Sequence, residues 1–203
     1  MRALILNGTL KPSPAESNTE ALATFVGDRL AEHGVAVQHV RLVDEDVAPG
    51  VVSEAVRPGD GWPAIHERVV AADIVVFATP TWLGQPGSVI KGALERLDAL
   101  LSETDDEGRP VAFNKVAGFV VTGNEDGAHH CIAEMAQAAF DVGFTVPGQA
   151  WTYWNKGPGP GEEEYLTSED HAWTHSTGKA MAHVLFHAAR ALAATPIPKP
   201  PNA

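Results

Sequence analysis

The residues of this chain best placed to do chemistry are small hydroxyl, amide and glycine residues, gathered in three stretches: Asn7 to Thr19, Pro80 to Gly87 and Thr122 to His130. Each follows a short apolar run, and in open parallel sheets ligands bind beyond the carboxyl ends of the strands. The first stretch has neither the G-x-G-x-x-G spacing of a dinucleotide turn nor the Gly-Lys-Ser/Thr of a Walker A loop. It is still suited to a phosphate. Gly8 permits a tight turn, Thr9, Ser13, Ser17 and Thr19 carry hydroxyls, and Lys11 adds a positive charge. A helix beginning near Asn18 aims free backbone N–H groups at the same place. The alternative is that Ser17-Asn18-Thr19-Glu20 only caps that helix. In the second stretch Trp82 lies among Pro80, Gly84 and Gly87, a setting for a flat ring system or for packing over the next helix.

Other constellations compete. His171 and His175, and His183 and His187, form two i, i+4 pairs, and His129, His130 and Glu134 offer a third group. Four residues advance a helix by about 40° beyond a full turn, so the four C-terminal histidines cannot share one face, and no third ligand is in sight. Surface or subunit-contact histidines, and no metal site, are expected. Gly157-Pro158-Gly159-Pro160-Gly161 is a poor phosphate cradle because proline has no N–H, so it reads as a flap. The aromatic run Trp151-Thr152-Tyr153-Trp154 suits a substrate pocket, a subunit contact or core packing.

The elements that must position these residues alternate between strand and helix, which predicts an α/β fold with parallel strands joined by helical crossovers. Ala3–Leu6 is an unbroken apolar strand, followed by a helix over Asn18–His33 that Gly34 stops. Val35–Val43 alternates like an edge strand, and the polar stretch 44–61 reads as a loop. A helix to Ala72 leads into the strand Asp73–Thr79, and the helix after Gly87 carries Val89, Ile90, Leu94, Leu97 and Leu101. Val116–Thr122 is the fourth strand and Ala128–Asp141 the helix beyond its loop. Phe144–Tyr153 would hold a fifth strand, bulged at Pro147-Gly148. The last helix spans about Ser168–Ala194, with Met181, Val184, Leu185, Ala188 and Leu192 as its stripe. The reading is a single domain over 1–203, with an insert loop at 154–170 and a flexible proline-rich tail at 195–203.

Composition narrows the function. With 14 Lys+Arg against 26 Asp+Glu the formal net charge is −12, which argues against nucleic-acid partners. A 44% apolar content is enough to bury a core, and no window is long enough for a membrane span. The lone Cys131 excludes a disulfide framework, and the N-terminal apolar run is too short for a signal peptide, so a cytoplasmic location is expected.

Taken in order, Gly8-Thr9-Leu10-Lys11 with Ser17-Asn18-Thr19, then Pro80-Thr81-Trp82-Leu83-Gly84-Gln85-Pro86-Gly87, then Thr122-Gly123-Asn124-Glu125-Asp126-Gly127-Ala128-His129 resemble the three cofactor-contacting loops of the flavodoxin-like NAD(P)H-dependent FMN reductase family. The likeness spans about residues 2–145. It implies a doubly wound five-stranded parallel sheet in the order 2-1-3-4-5, with helices on both faces. It implies an FMN phosphate at Thr9, Lys11, Ser17, Asn18 and Thr19. The isoalloxazine ring would lie along Pro80, Thr81, Trp82, Leu83 and Gly84, and the loop containing Thr122, Gly123, Asn124, Asp126 and Gly127 would flank its other side. Lys11 stands where many members have Arg, and Pro12–Glu16 looks inserted.

The function implied is hydride transfer from NADPH or NADH through bound FMN to a small acceptor such as free flavin or a quinone, in a homodimer or homotetramer. The cofactor carries the chemistry, so no catalytic side chain is expected. Glu125 and Asp126 near the ring would disfavour the anionic reduced flavin and a protonated His129 would favour it, unless these are solvated charges with Asp126 capping the next helix. The alternatives are a flavodoxin-type electron carrier without a nicotinamide site, or a flavin-binding protein that does not turn over.

Overall fold

The computed structural model describes residues 1–201 of the 203. Six strands form the sheet: β1 (Arg2–Asn7), β2 (Ala36–Arg41), β3 (Ile74–Trp82), β4 (Gln85–Pro86), β5 (Val116–Gly123) and β6 (Trp151–Asn155). Five are parallel in the spatial order β2-β1-β3-β5-β6, and the two-residue β4 runs antiparallel to the end of β3. Apart from β4, this is the expected order. The helices are α1 (Asn18–Glu32), α2 (Trp62–Ala71), α3 (Ser88–Arg96), α4 (Ala128–Val142) and α5 (Ala172–Ala194).

The central strands are apolar throughout because both faces are covered. Leu4, Leu6, Val75, Phe77, Ala117, Phe119 and Val121 face α2, α3 and α4, while Ala3, Ile5, Ile74, Val76, Val116 and Val120 face α1 and α5. Successive residues of one strand feed opposite cores, so the run shows no polar alternation. Helix α5 can approach β5 closely because Gly118 has no side chain. A Cβ there would stand 2.7 Å from Met181 Cε and 2.8 Å from Leu185 Cδ1.

Several boundaries differ from expectation: β2 ends at Arg41 before a 3-10 turn over Leu42–Asp44, α3 ends at Arg96 with Leu97–Ser102 in 3-10 form, and three further differences bear on the site. The fifth parallel strand begins at Trp151, and Phe144–Gln149 precedes it, bridging to the sheet at Val116 and Thr145 while Phe144 packs edge-on against Phe77. Helix α5 begins at Ala172, because Tyr165–Thr167 forms a separate 3-10 turn. Most of Pro80–Gly87 is not loop. β3 continues through Trp82 and turns back at Leu83 (φ 53°) and Gly84 (φ 74°) into β4, the two-residue hairpin with both central φ angles positive.

The stretch 44–61 is anchored from inside. Arg96, fully buried at the end of α3, donates to Ala48 O (2.9 Å), Glu54 O (2.8 Å) and Asp60 Oδ2 (2.9 Å), with its guanidinium over the Trp62 ring. Asp60 also accepts N–H bonds from Ala48, Val56 and Trp62. Burial alone would raise its carboxyl pKa, but these donors and Arg96 hold it well below the usual range. At the C-terminus Ile197 exchanges hydrogen bonds with Asn114. Asn202 and Ala203, the end of the expected tail, lie outside the described residues.

Candidate functional site

A cleft opens at the carboxyl ends of β1, β3 and β5. It is lined by Thr9, Leu10, Lys11, Ser17, Asn18, Thr19, Pro80, Thr81, Trp82, Thr122, Gly123, Asn124, Trp154 and Glu164. Of the residues that the resemblance implies for the cofactor, Leu83, Gly84, Asp126 and Gly127 are not on its wall.

The first loop is held from within and from below. The Asn7 side chain accepts from Thr9 N (3.0 Å), and Thr9 Oγ1 accepts from Lys11 N (3.3 Å). From the end of β2, Arg41 donates to Lys11 O (3.2 Å) and Ala15 O (3.0 Å) and pairs with Glu20. Asp44 accepts from both the N–H and the hydroxyl of Ser13. The Ser13 hydroxyl is therefore spent on the scaffold rather than offered as a phosphate donor. Ser17 caps α1 by accepting from Glu20 N (3.2 Å), which leaves its own proton to donate, and the N–H groups of the first turn face the cleft end of the helix. The Thr19 and Thr122 hydroxyls pair at 2.8 Å, tying the first loop to the third.

Asn18 also lines the cleft, with its side-chain amide turned to partners in the protein. Its Nδ2 donates to Glu164 Oε2 (2.8 Å) and its Oδ1 accepts from Leu166 N (3.0 Å), so the whole amide is engaged by the segment beyond β6. That segment is also clasped to the third loop. Gly161 N donates to Asn124 O (2.8 Å), and Asn124 Nδ2 donates to Gly161 O (2.7 Å). The insert expected at 154–170 begins later, since β6 runs to Asn155, and 156–170 is a strap joining the first and third loops at the rim of the cleft. It brings Glu164 to the wall, and Trp154 precedes it there at the end of β6. Nothing local in the sequence marked Glu164, since its place depends on contacts 146 residues apart.

The hairpin forms the opposite side. Trp82 is 54% exposed and Leu83 91%. Glu125 accepts from Leu83 N at 2.8 Å, so this carboxylate fastens the turn. Asp126 does not cap α4, because the cap position is Gly127 with φ 114° and no side-chain bond. A Cβ on Gly127 would lie 2.7 Å from Gly84 Cα, so the hairpin and third loop touch backbone to backbone. His129 packs edge-on against Trp151 and Tyr153, and neither it nor those two aromatics is on the cleft wall. Cys131, buried behind the hairpin near Thr81, has its thiol pKa raised chiefly by burial. Among the described residues no group of three His, Cys, Asp or Glu is arranged to hold a metal ion, and no helix is long and apolar enough to cross a membrane.

The donor set fits a flavin mononucleotide. At one end are hydroxyls, a helix N-terminus and Lys11, and beside them the Asn7 amide nitrogen is buried without a partner. At the other, Pro80 and Trp82 offer flat apolar surface without charge. A parallel sheet in this order with such a cleft at its switch point defines the flavodoxin-like fold. Within that fold the chain belongs to the NADPH-dependent FMN reductase family, which matches residues 1–159.

Two relatives extend over nearly the whole chain. The "Divalent metal cation transporter MntH" of Mycobacterium bovis is 36% identical over 209 residues, 98% of this chain, which spans only 30% of that protein. The "8-demethyl-8-aminoriboflavin-5'-phosphate synthase" of Streptomyces davaonensis is 34% identical over 206 residues, covering 97% of this chain and 80% of the relative. The crystal structure of RosB with bound intermediate 8-demethyl-8-formylriboflavin-5'-phosphate superposes with a TM-score of 0.85 at 32% identity, over 97% of this chain and 82% of that one.

Proposed function

We propose that the chain binds FMN noncovalently in this cleft and passes reducing equivalents from NADPH or NADH to a small acceptor such as free flavin or a quinone. The observation that carries the reading is convergence: residues of all three loops foreseen for the cofactor line one cleft at the sheet's carboxyl end. In this reading Thr9, Lys11, Ser17 and Thr19, with the first turn of α1, hold the phosphate, and Asn18 acts by fastening the strap. Pro80, Thr81 and Trp82 support the ring. Leu83, Gly84, Asp126 and Gly127 shape the hairpin and third loop without touching it. FMN held here would supply the hydride and electron chemistry, so the protein's own residues bind, orient and shield it rather than supplying an acid or nucleophile.

The test is direct. Purified protein is expected to bind FMN with quenching of flavin fluorescence and to oxidise NADPH or NADH in the presence of quinone or free flavin. FMN binding without nicotinamide oxidation would favour an electron carrier, and no binding at all would overturn the reading.

A second reading has its own support. The likeness to the synthase and to RosB continues past residue 159 through the strap and α5, beyond the stretch that the reductase family matches. The flavin would then be a substrate altered at its 8-position. Mass analysis of the flavin recovered after turnover separates the two: unchanged FMN supports the reductase, a modified flavin the synthase-like activity.

The exposed pair Trp82 and Leu83 beside the cleft also supports a homodimer in which a second copy covers the hairpin. Light scattering at micromolar concentration is expected to give a dimer or tetramer, and replacing Leu83 with Asp should shift it toward monomer.

A further inference from the structure

The polar end of the cleft carries one side-chain cation, Lys11, and one side-chain anion, Glu164. The anion is unexpected. A helix N-terminus beside hydroxyl groups attracts negative charge, and a ligand phosphate would compete there with any carboxylate the protein itself supplies. Glu164 is fixed in that position. Its Oε2 accepts from the side chain of Asn18, the first residue of α1, and its carboxylate also accepts from Thr167 N in the strap's 3-10 turn. Leu166 N, two residues on, bonds the other end of the same Asn18 amide. Asn124 and Gly161 clasp the strap from the opposite side, so the carboxylate is half-buried on the wall and is no free surface charge.

We propose that Glu164 is a specificity-determining residue that sets how tightly the cleft holds a phosphorylated flavin. Its fixed negative charge offsets Lys11 and the α1 N-terminus. It thereby weakens binding of the phosphate monoester relative to the uncharged flavin alcohol and speeds exchange of FMN with solvent. This rests on the flavin reading above and deepens it: such a site trades its flavin instead of retaining it, as a protein must when flavin is a substrate or acceptor.

The experiment measures affinity for FMN and for riboflavin by fluorescence quenching, and FMN release by stopped flow, in the wild-type protein, Glu164→Gln and Glu162→Gln. Glutamine keeps an oxygen to accept from Asn18 and Thr167 while removing the charge. Glu162 is exposed, lies off the cleft wall, and controls for the same change in net charge. Glu164→Gln is expected to bind FMN about five- to twentyfold more tightly, mainly through slower release, with riboflavin affinity changed less than about twofold. Glu162→Gln should leave both affinities in place. Unchanged or weakened FMN binding in Glu164→Gln would overturn the proposal, as would equal tightening of riboflavin or an equal effect of Glu162→Gln. A wild-type protein that binds neither flavin would instead overturn the flavin reading beneath it.

Discussion

Replacing Arg96 with methionine is expected to lower the stability of the fold by about 3–5 kcal/mol, a fall in Tm on the order of 10 °C for a chain of this size. Methionine matches much of the stem's volume, so the loss does not come from a cavity. It comes from what stays behind: Asp60, with its side chain wholly buried, would lose its countercharge, while Ala48 O and Glu54 O would lose their donors. Adding Asp60→Asn removes the stranded charge, so the double variant should recover part of the loss. Thermal or denaturant unfolding of the two single variants and the double variant checks this, and additive losses would refute the pairing.

The same pair gives a pH dependence with a definite sign. The Asp60 carboxyl is depressed in the folded protein. Its contribution is therefore complete above the unfolded carboxylate value of about 3.9 and is lost as pH falls below it toward the folded value. Wild-type stability should drop through that acid window more steeply than that of Asp60→Asn.

The second large effect concerns the approach of the hairpin to the third loop. Gly127→Ala is expected to weaken FMN binding at least tenfold and to destabilise the protein by about 2 kcal/mol or more. Two causes act together. Residue 127 has φ 114°, which an alanine adopts only with strain, and its Cβ would press into Gly84 Cα at 2.7 Å, with backbone on both sides and nothing soft to yield. The hairpin carrying Trp82 must then move. Gly84→Ala is the control, because that position shares a positive φ of 74° but nothing lies within 4 Å of the added Cβ. It should show a smaller stability loss, about 1 kcal/mol, and keep most of the flavin affinity. Equal losses of flavin affinity in the two variants would remove the loop contact as the cause.

The relation between charge and site also takes a different form from the one the composition suggests. The −12 total is spread over helices and loops alike, yet the carboxylates that matter have individual tasks. Asp44 holds Ser13, Glu125 holds the N–H of Leu83, Asp60 answers Arg96, and Glu164 stands on the cleft wall. Glu125 looked in the sequence like a direct influence on a ring. In the structure its hydrogen bond goes to the turn that carries Trp82's neighbour, so its effect on a ring would pass through the shape of the hairpin.

Local information was enough for much of this molecule. Apolar runs such as Ile74–Phe77 and Gly118–Val121 can be buried only in a two-faced sheet. Ser17 before Asn18 and Gly143 after Val142 mark helix ends through their own backbone chemistry, and the order of the three polar stretches follows from the strands they leave. These features depend on residues within a few positions of each other, so a linear reading finds them. The remainder depended on distance in the chain. Arg96 sits in an apolar helical stripe and shows its partner only when 44–61 folds back over α3. The Asn18 amide shows its partners, Glu164 and Leu166, only in the folded chain. Trp82 reads as a loop residue until β4 pairs with β3. In each case the deciding interaction is a hydrogen bond or charge pair between segments whose meeting is set by the packing of the whole sheet and its helices. Sequence alone thus determined the frame and the three loops at its carboxyl end, and only the tertiary structure decided which of their polar groups remain free to meet a ligand.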